Sequence, residues 1–153
     1  GIATKHDFFE KYFTDQGPFY VRASQLSAKE AIQLVHTAGG LAVWSHPPVP
    51  DFVGKCQELG IFLEELIGYG LDGLELFGSF LTQADLVCLE KLARARHLIV
   101  TGGSDFHEAA LPSEKPWPRS ATTIGEFPTF GRSTAGLADS VCAVMAAPRV
   151  RRD

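Results

Sequence analysis

The sequence predicts an α/β protein in which short parallel strands alternate with amphipathic helices. Three observations predict it. Segments with apolar residues at the 3.6-residue helical period recur along the chain. Between them stand apolar runs of strand length, entered or left through glycine. Two of those runs end in side chains that carry chemistry, as strand ends in α/β proteins do.

Residues 1–19 open the chain with aromatics at helical spacing, Phe8, Phe9, Tyr12 and Phe13, and Gly17-Pro18 stops them. Phe8, Phe9 and Tyr12 form one stripe, expected to pack against the domain. Ser27-Ala28-Lys29-Glu30 is a capping box that starts a helix over 27–40. Its expected inward positions are Ala31, Leu34, Val35 and Ala38, and Gly39-Gly40 ends it. A strand follows over 41–46, Leu-Ala-Val-Trp-Ser-His, halted by Pro47-Pro48, which cannot continue a ladder.

A second helix is expected over 52–68, with Phe52, Cys56, Leu59, Phe62, Leu63 and Leu66 inward. A strand over 72–77 comes next, between glycines. The third helix spans 79–96 in this reading, with Leu81, Ala84, Leu86, Leu89, Leu92 and Ala93 on its buried side and Lys91, Arg94 and Arg96 at its end, where the dipole favours cations. A strand over 98–104 completes the alternation. Beyond it, Pro112, Pro116, Pro118 and Pro128 mark an irregular run, of the kind that forms a lid or binding loop. A closing helix over 136–147 carries Leu137, Val141, Val144 and Met145.

At 153 residues and 45% apolar, the chain is long enough for one domain that buries about 68–70% of its unfolded surface. A formal charge of −4 argues against a bulk electrostatic footprint for nucleic acid, though not against a local phosphate site. Arg149-Val150-Arg151-Arg152 reads as a solvated tail. Cys56, Cys88 and Cys142 lack metal-site spacing, so the expectation is three small unpaired hydrophobes in a reducing cytoplasm. No signal peptide opens the sequence, and no apolar run approaches the roughly 20 residues that cross a bilayer.

The chemistry gathers at the strand ends. In Thr101-Gly102-Gly103-Ser104-Asp105-Phe106-His107 the Asp-x-His spacing puts a carboxylate and an imidazole on one face of extended chain, a half-site for Zn, Mn or Fe. Gly102 and Gly103 would let the backbone turn sharply there or take positive φ. His46 ends the earlier strand at the same level. The plainer alternative makes Asp105 a turn cap and His107 a surface residue. By parity along the strands, Trp44, Ile99 and Thr101 should face the same interior as these groups.

Three motifs in order, Ala-Gly-Gly-Leu-Ala-Val-Trp-Ser-His-Pro (38–47), Gly-Leu-Asp-Gly-Leu-Glu-Leu (70–76) and Thr-Gly-Gly-Ser-Asp-Phe-His (101–107), resemble the PHP (polymerase and histidinol phosphatase) superfamily of metal-dependent phosphoesterases. The nearest branch resembles bacterial nucleoside 3′,5′-bisphosphate phosphatases and 5′→3′ RNA exonucleases. The resemblance implies the C-terminal part of a distorted seven-stranded (β/α) barrel, taken here as a single domain over 1–153. It also implies up to three divalent ions (Mn, Zn or Fe), with Asp105, His107 and His46 each a ligand to a different one, and Asp105 and His107 in the catalytic centre. The family's opening His-x-His strand is not in this sequence. The chain is therefore expected to bind metal weakly and act poorly alone, and to pair with the N-terminal half of the barrel or with a second copy. The substrate implied is a small phosphorylated molecule, a nucleotide or short RNA 5′ end, handled in the cytoplasm.

Arg119 and Lys115, on the loop after His107, are candidates to contact substrate phosphate, since guanidinium matches phosphate bidentately; solvated loop charges are the alternative. Glu75 is a charge between Leu74 and Leu76, so it must hydrogen-bond backbone or arginine, or support the metal shell. His6, His36 and His97 read as structural or surface residues. The competing function is a PHP-like remnant or binding module without catalysis. An aldolase or amidohydrolase barrel is the third class, and it would usually need a strand-end lysine or a His-x-His, neither of which stands at these strand ends.

Overall fold

In the computed structural model of this chain the described residues are 5–14, 17, 25–47, 55–79, 81–106 and 124–146. They form α1 (Lys5–Tyr12), α2 (Ala28–Thr37), β1 (Val43–Trp44), α3 (Cys56–Gly68), β2 (Gly73–Gly78), α4 (Gln83–Ala95), β3 (Ile99–Gly103) and α5 (Leu137–Ala146). The strands make one parallel sheet in the order β1-β2-β3, with a helix between each pair. The predicted α/β alternation is what the chain adopts.

Two helix starts, those of α2 and α4, are fixed by side-chain caps. Ser27 caps α2 with a complete capping box, its hydroxyl accepting from the Glu30 N–H while the Glu30 carboxylate accepts from the Ser27 N–H at 2.8 Å. The same device opens α4: Thr82 is the N-cap and Asp85 the reciprocal partner. That cap corrects the expected start at Ser79, because an N-cap residue must itself be non-helical.

Three helix ends, those of α2, α3 and α4, are specified in one way. After α2, α3 and α4 a residue in the left-handed region follows the C-cap: Gly39 (φ 81°), Gly70 (φ 106°) and His97 (φ 53°). The next residue returns its N–H five positions back: Gly40 to Val35, Leu71 to Leu66 and Leu98 to Ala93. These are Schellman motifs, and each delivers the chain to the start of a strand within three residues.

The core lies between β2 and helices α3 and α4. Leu59, Leu63, Leu74, Leu86 and Leu89 are fully buried there, with Leu66, Leu76, Phe77, Leu92 and Ala93 around them. Replacing one such leucine by alanine costs about 2–5 kcal/mol, so this cluster is the main source of stability. Ala84 and Phe62, expected inward, are exposed, though the Phe62 ring still lies 5.4 Å from that of Trp44.

Several expectations fail at the periphery. On α2 the buried residue is Ile32, and Leu34 and Val35 are exposed. The helix turns Ile32 and His36 toward the strand starts, where His36 Nε2 meets Asp72 Oδ2 at 2.7 Å. On α1, Phe8, Phe9 and Phe13 are exposed and stack mainly on one another and on Tyr12, outside the core. Of the expected apolar face of α5, only Leu137 packs against the core.

The cysteine reading is also overturned: Cys56 and Cys88 form a disulfide that ties the first turn of α3 to the middle of α4, and Cys142 is an exposed free thiol. No sequence spacing announces the pair, because the packing of α3 on α4 brings it together. Among the described residues no helix is long and apolar enough to cross a membrane.

Candidate functional site

The hydrogen-bonded part of β1 is only Val43–Trp44, so Ser45 and His46 project beyond the ladder. At the far edge β3 ends at Gly103, and Ser104 and Asp105 follow. His46 (φ 49°) and Asp105 (φ 53°) both adopt left-handed backbone. For an L-residue this costs about 1–2 kcal/mol, less for aspartate, and such conformations persist where neighbours hold them and function uses them. The two side chains converge, His46 Nε2 lying 3.3 Å from Asp105 Oδ1. The imidazole is half exposed and the carboxylate three-quarters covered. The sequence reading brought these two residues to one place, and they are there.

Glu75, on the central strand, lies between them. Its Oε2 atom accepts from the His46 N–H at 2.8 Å and from the Ser45 hydroxyl at 3.2 Å. A hydrogen bond to a charged group is worth about 1.5–3 kcal/mol, comparable with the backbone cost at His46. The choice left open for Glu75 is thus resolved toward backbone hydrogen bonding, and the backbone concerned is that of a site residue. Ser45 was not singled out; a hydroxyl one residue before the strand-end histidine was the signal.

The sheet register explains which neighbours share this face. Val43, Gly73 and Ile99 are aligned, as are Trp44, Leu74 and Val100, and then Glu75 and Thr101. Aligned residues point the same way, so Ile99 and Thr101 share the face of Glu75 as expected. Trp44 does not: it lies on the opposite face, against Phe62 of α3. Parity fails because the left-handed turn at His46 breaks the alternation that would carry from 44 to 46.

The glycines before Asp105 also act differently from expectation. Neither Gly102 nor Gly103 has positive φ; Asp105 takes it instead. The register slips between Glu75 and Phe77, so that Phe77 aligns with Gly102. A Cβ at 102 would sit 2.7 Å from the Phe77 Cβ, and only glycine fits that approach.

His36 and Asp72 lie at the other end of the sheet, where Asp72 Oδ2 also accepts from the Ala42 N–H at 2.8 Å, just before β1. His97 precedes β3. Both histidines are thus remote from the strand carboxyl ends, and the side chain of His6 lies outside the described residues, as do His107, Lys115 and Arg119. Among the described residues no three His, Cys, Asp or Glu side chains converge as metal ligands. Two do: an imidazole nitrogen and a carboxylate oxygen 3.3 Å apart have the spacing of adjacent donors on one ion with bonds of about 2.0–2.2 Å. The donor set fits a divalent cation but does not complete its shell.

No protein-family model matches the chain. It is 30% identical over 119 residues to the 5′-3′ exoribonuclease Rnm of Salmonella typhimurium, an alignment covering 75% of this chain and 37% of that protein. It is 37% identical over 82 residues to the phosphoribosyl 1,2-cyclic phosphate 1,2-diphosphodiesterase of Eggerthella lenta, over 54% of this chain and 29% of that one. A solved structure from Bifidobacterium adolescentis, described as a metal-dependent phosphoesterase, matches with a TM-score of 0.61 at 26% identity, over 92% of this chain and 44% of that one. The chain spans less than half the length of each of these relatives.

Proposed function

We propose, on the premise that this chain is a relative of the PHP-type phosphoesterases, that it supplies the late metal-binding strand ends of a metal-dependent hydrolase acting on a nucleotide or short RNA 5′ end. In this reading it is the C-terminal portion of a seven-stranded barrel. The observation that carries the proposal is the 3.3 Å approach of His46 Nε2 to Asp105 Oδ1, at two strand ends held in left-handed backbone.

A phosphate ester resists hydrolysis because its anionic oxygens repel an incoming hydroxide. Divalent ions bound at such a site neutralise those oxygens and lower the pKa of a bound water. His46 and Asp105 are the residues that would hold them, with His107 as a further ligand. Mn, Zn and Fe all suit this nitrogen and oxygen donor set. Glu75 fixes the peptide of His46, and Lys115 and Arg119 are the groups proposed to meet the substrate phosphate. The remaining ligands come from the N-terminal half of the barrel or from a second copy of the chain.

The test follows phosphate release from a 3′,5′-bisphosphorylated nucleoside with Mn or Zn, using this chain alone and mixed with a separately made segment carrying His-x-His. Hydrolysis appearing only in the mixture, and collapsing with Asp105→Ala, is the expected result. A mixture without metal-dependent release would overturn the proposal. It would favour a non-catalytic PHP-like module, the reading that the two-donor set among the described residues keeps in view.

A further inference from the structure

We propose that Glu75 is the positioning residue of this site: its Oε2 atom, accepting from His46 and Ser45 just past the β1–β2 ladder, sets the backbone from which the His46 imidazole reaches Asp105. The β1–β2 ladder ends with the pair Trp44 and Leu74. Two residues further, past that ladder, the Glu75 carboxylate accepts the His46 N–H at 2.8 Å. The neighbouring Ser45 hydroxyl converges on the same oxygen at 3.2 Å. Two donors from successive residues on one acceptor fix a peptide orientation, and this peptide belongs to a residue whose φ of 49° is costly for an L-amino acid.

The other carboxylate oxygen lies toward the second strand end. A Cβ built on Gly103 would stand 3.7 Å from Glu75 Oε1, two residues before Asp105. The side chain of Glu75 therefore spans the space between the two strand ends whose side chains meet at 3.3 Å. A rotation of the His46 peptide would swing the imidazole away from Asp105. The role for metal rests on the phosphoesterase reading; the role for His46 does not.

The experiment uses the whole chain as wild type, Glu75→Gln and Glu75→Ala, with two readouts. Glutamine keeps one carbonyl oxygen for the His46 and Ser45 donors but removes the charge, and alanine removes the acceptor. Without metal, the hydrogen exchange of the His46 amide is measured by NMR. With Co(II), affinity is read from its visible absorption. Alanine is expected to speed His46 exchange about tenfold or more and to weaken Co(II) binding by about 10–100-fold, the range for groups that orient metal ligands. Glutamine is expected to stay within about threefold of wild type in both, on the same principle.

Wild-type exchange at His46 in the alanine variant would overturn the proposal. So would a glutamine variant that keeps His46 protected yet loses Co(II) as alanine does, because Glu75 would then be a ligand itself. If wild type alone binds no Co(II), the His46 exchange alone decides the role of Glu75. Should the alanine variant fail to fold, Glu75→Asp carries its expectations, since it keeps the charge but withdraws the oxygens by one methylene.

Discussion

Reducing the Cys56–Cys88 disulfide, or replacing both cysteines with serine, should lower stability by about 3.7 kcal/mol at 25 °C. The figure follows from the 32-residue separation of the bonded cysteines, which closes a loop holding most of α3, all of β2 and the first half of α4. Confining a loop of that length removes about 12 cal/mol/K of entropy from the unfolded chain, which at 298 K gives the stated value. For a chain of this size each kcal/mol moves the melting temperature by about 2–4 °C, so the fall should be about 7–15 °C. The assay is thermal unfolding by circular dichroism of oxidised wild type, reduced wild type and the double serine variant, preceded by thiol titration. One reactive thiol, Cys142, is expected in the native oxidised protein and three after reduction. Reduced wild type and the double variant should melt together. Three free thiols in protein kept from reductant, or equal melting of all three samples, would refute the reasoning.

Three further outcomes are expected. His97→Gly should raise stability by about 0.5–1 kcal/mol in urea unfolding, since His97 fills a left-handed helix end that glycine occupies after α2 and α3; a loss of stability would mean the imidazole makes a contact that matters more than the backbone. Gly102→Ala should destabilise the chain by about 1–3 kcal/mol, because the added methyl meets Phe77 at 2.7 Å, and Gly103→Ala, whose nearest neighbour is the Glu75 carboxylate at 3.7 Å, should cost less. Glu30 has its carboxyl held below the usual 4.5, first by the Ser27 hydroxyl and then by the Ser27 N–H. A depressed folded pKa gives stability that is complete above the unfolded value and fades as pH falls through the folded one. Glu30→Gln should therefore be less stable than wild type at neutral pH and converge with it in acid; a deficit that stays the same in acid would contradict the assignment.

The alternation of helices and strands was legible because each core leucine of α3 and α4 falls on the helical period. His46 and Asp105 were legible as a pair because each ends an apolar run, and parallel strands bring such ends to one side. Glu75 was legible as an anomaly, a charge between two leucines. What the sequence hid are facts of relative placement. Trp44 was assigned to the wrong face because β1 is two residues long and the turn at His46 resets parity. Leu34 was preferred to Ile32 because periodicity offers two adjacent stripes on α2, and only the His36 to Asp72 contact selects between them. The disulfide depends on how α3 lies on α4. The glycines at 102 and 103 announced an unusual backbone, but the unusual φ fell on Asp105 and the close approach on Gly102.

The left-handed backbone at both His46 and Asp105 sets the stability of the fold against the proposed metal site. Glycine or asparagine at either position would relax the chain, so the most heat-resistant variants of this protein should be found among those that have lost the imidazole or the carboxylate. A library sorted by melting temperature alone would drift away from histidine at 46, while one sorted by Co(II) retention would hold it there. The two selections would then draw the functional site as the set of positions where their preferred residues disagree.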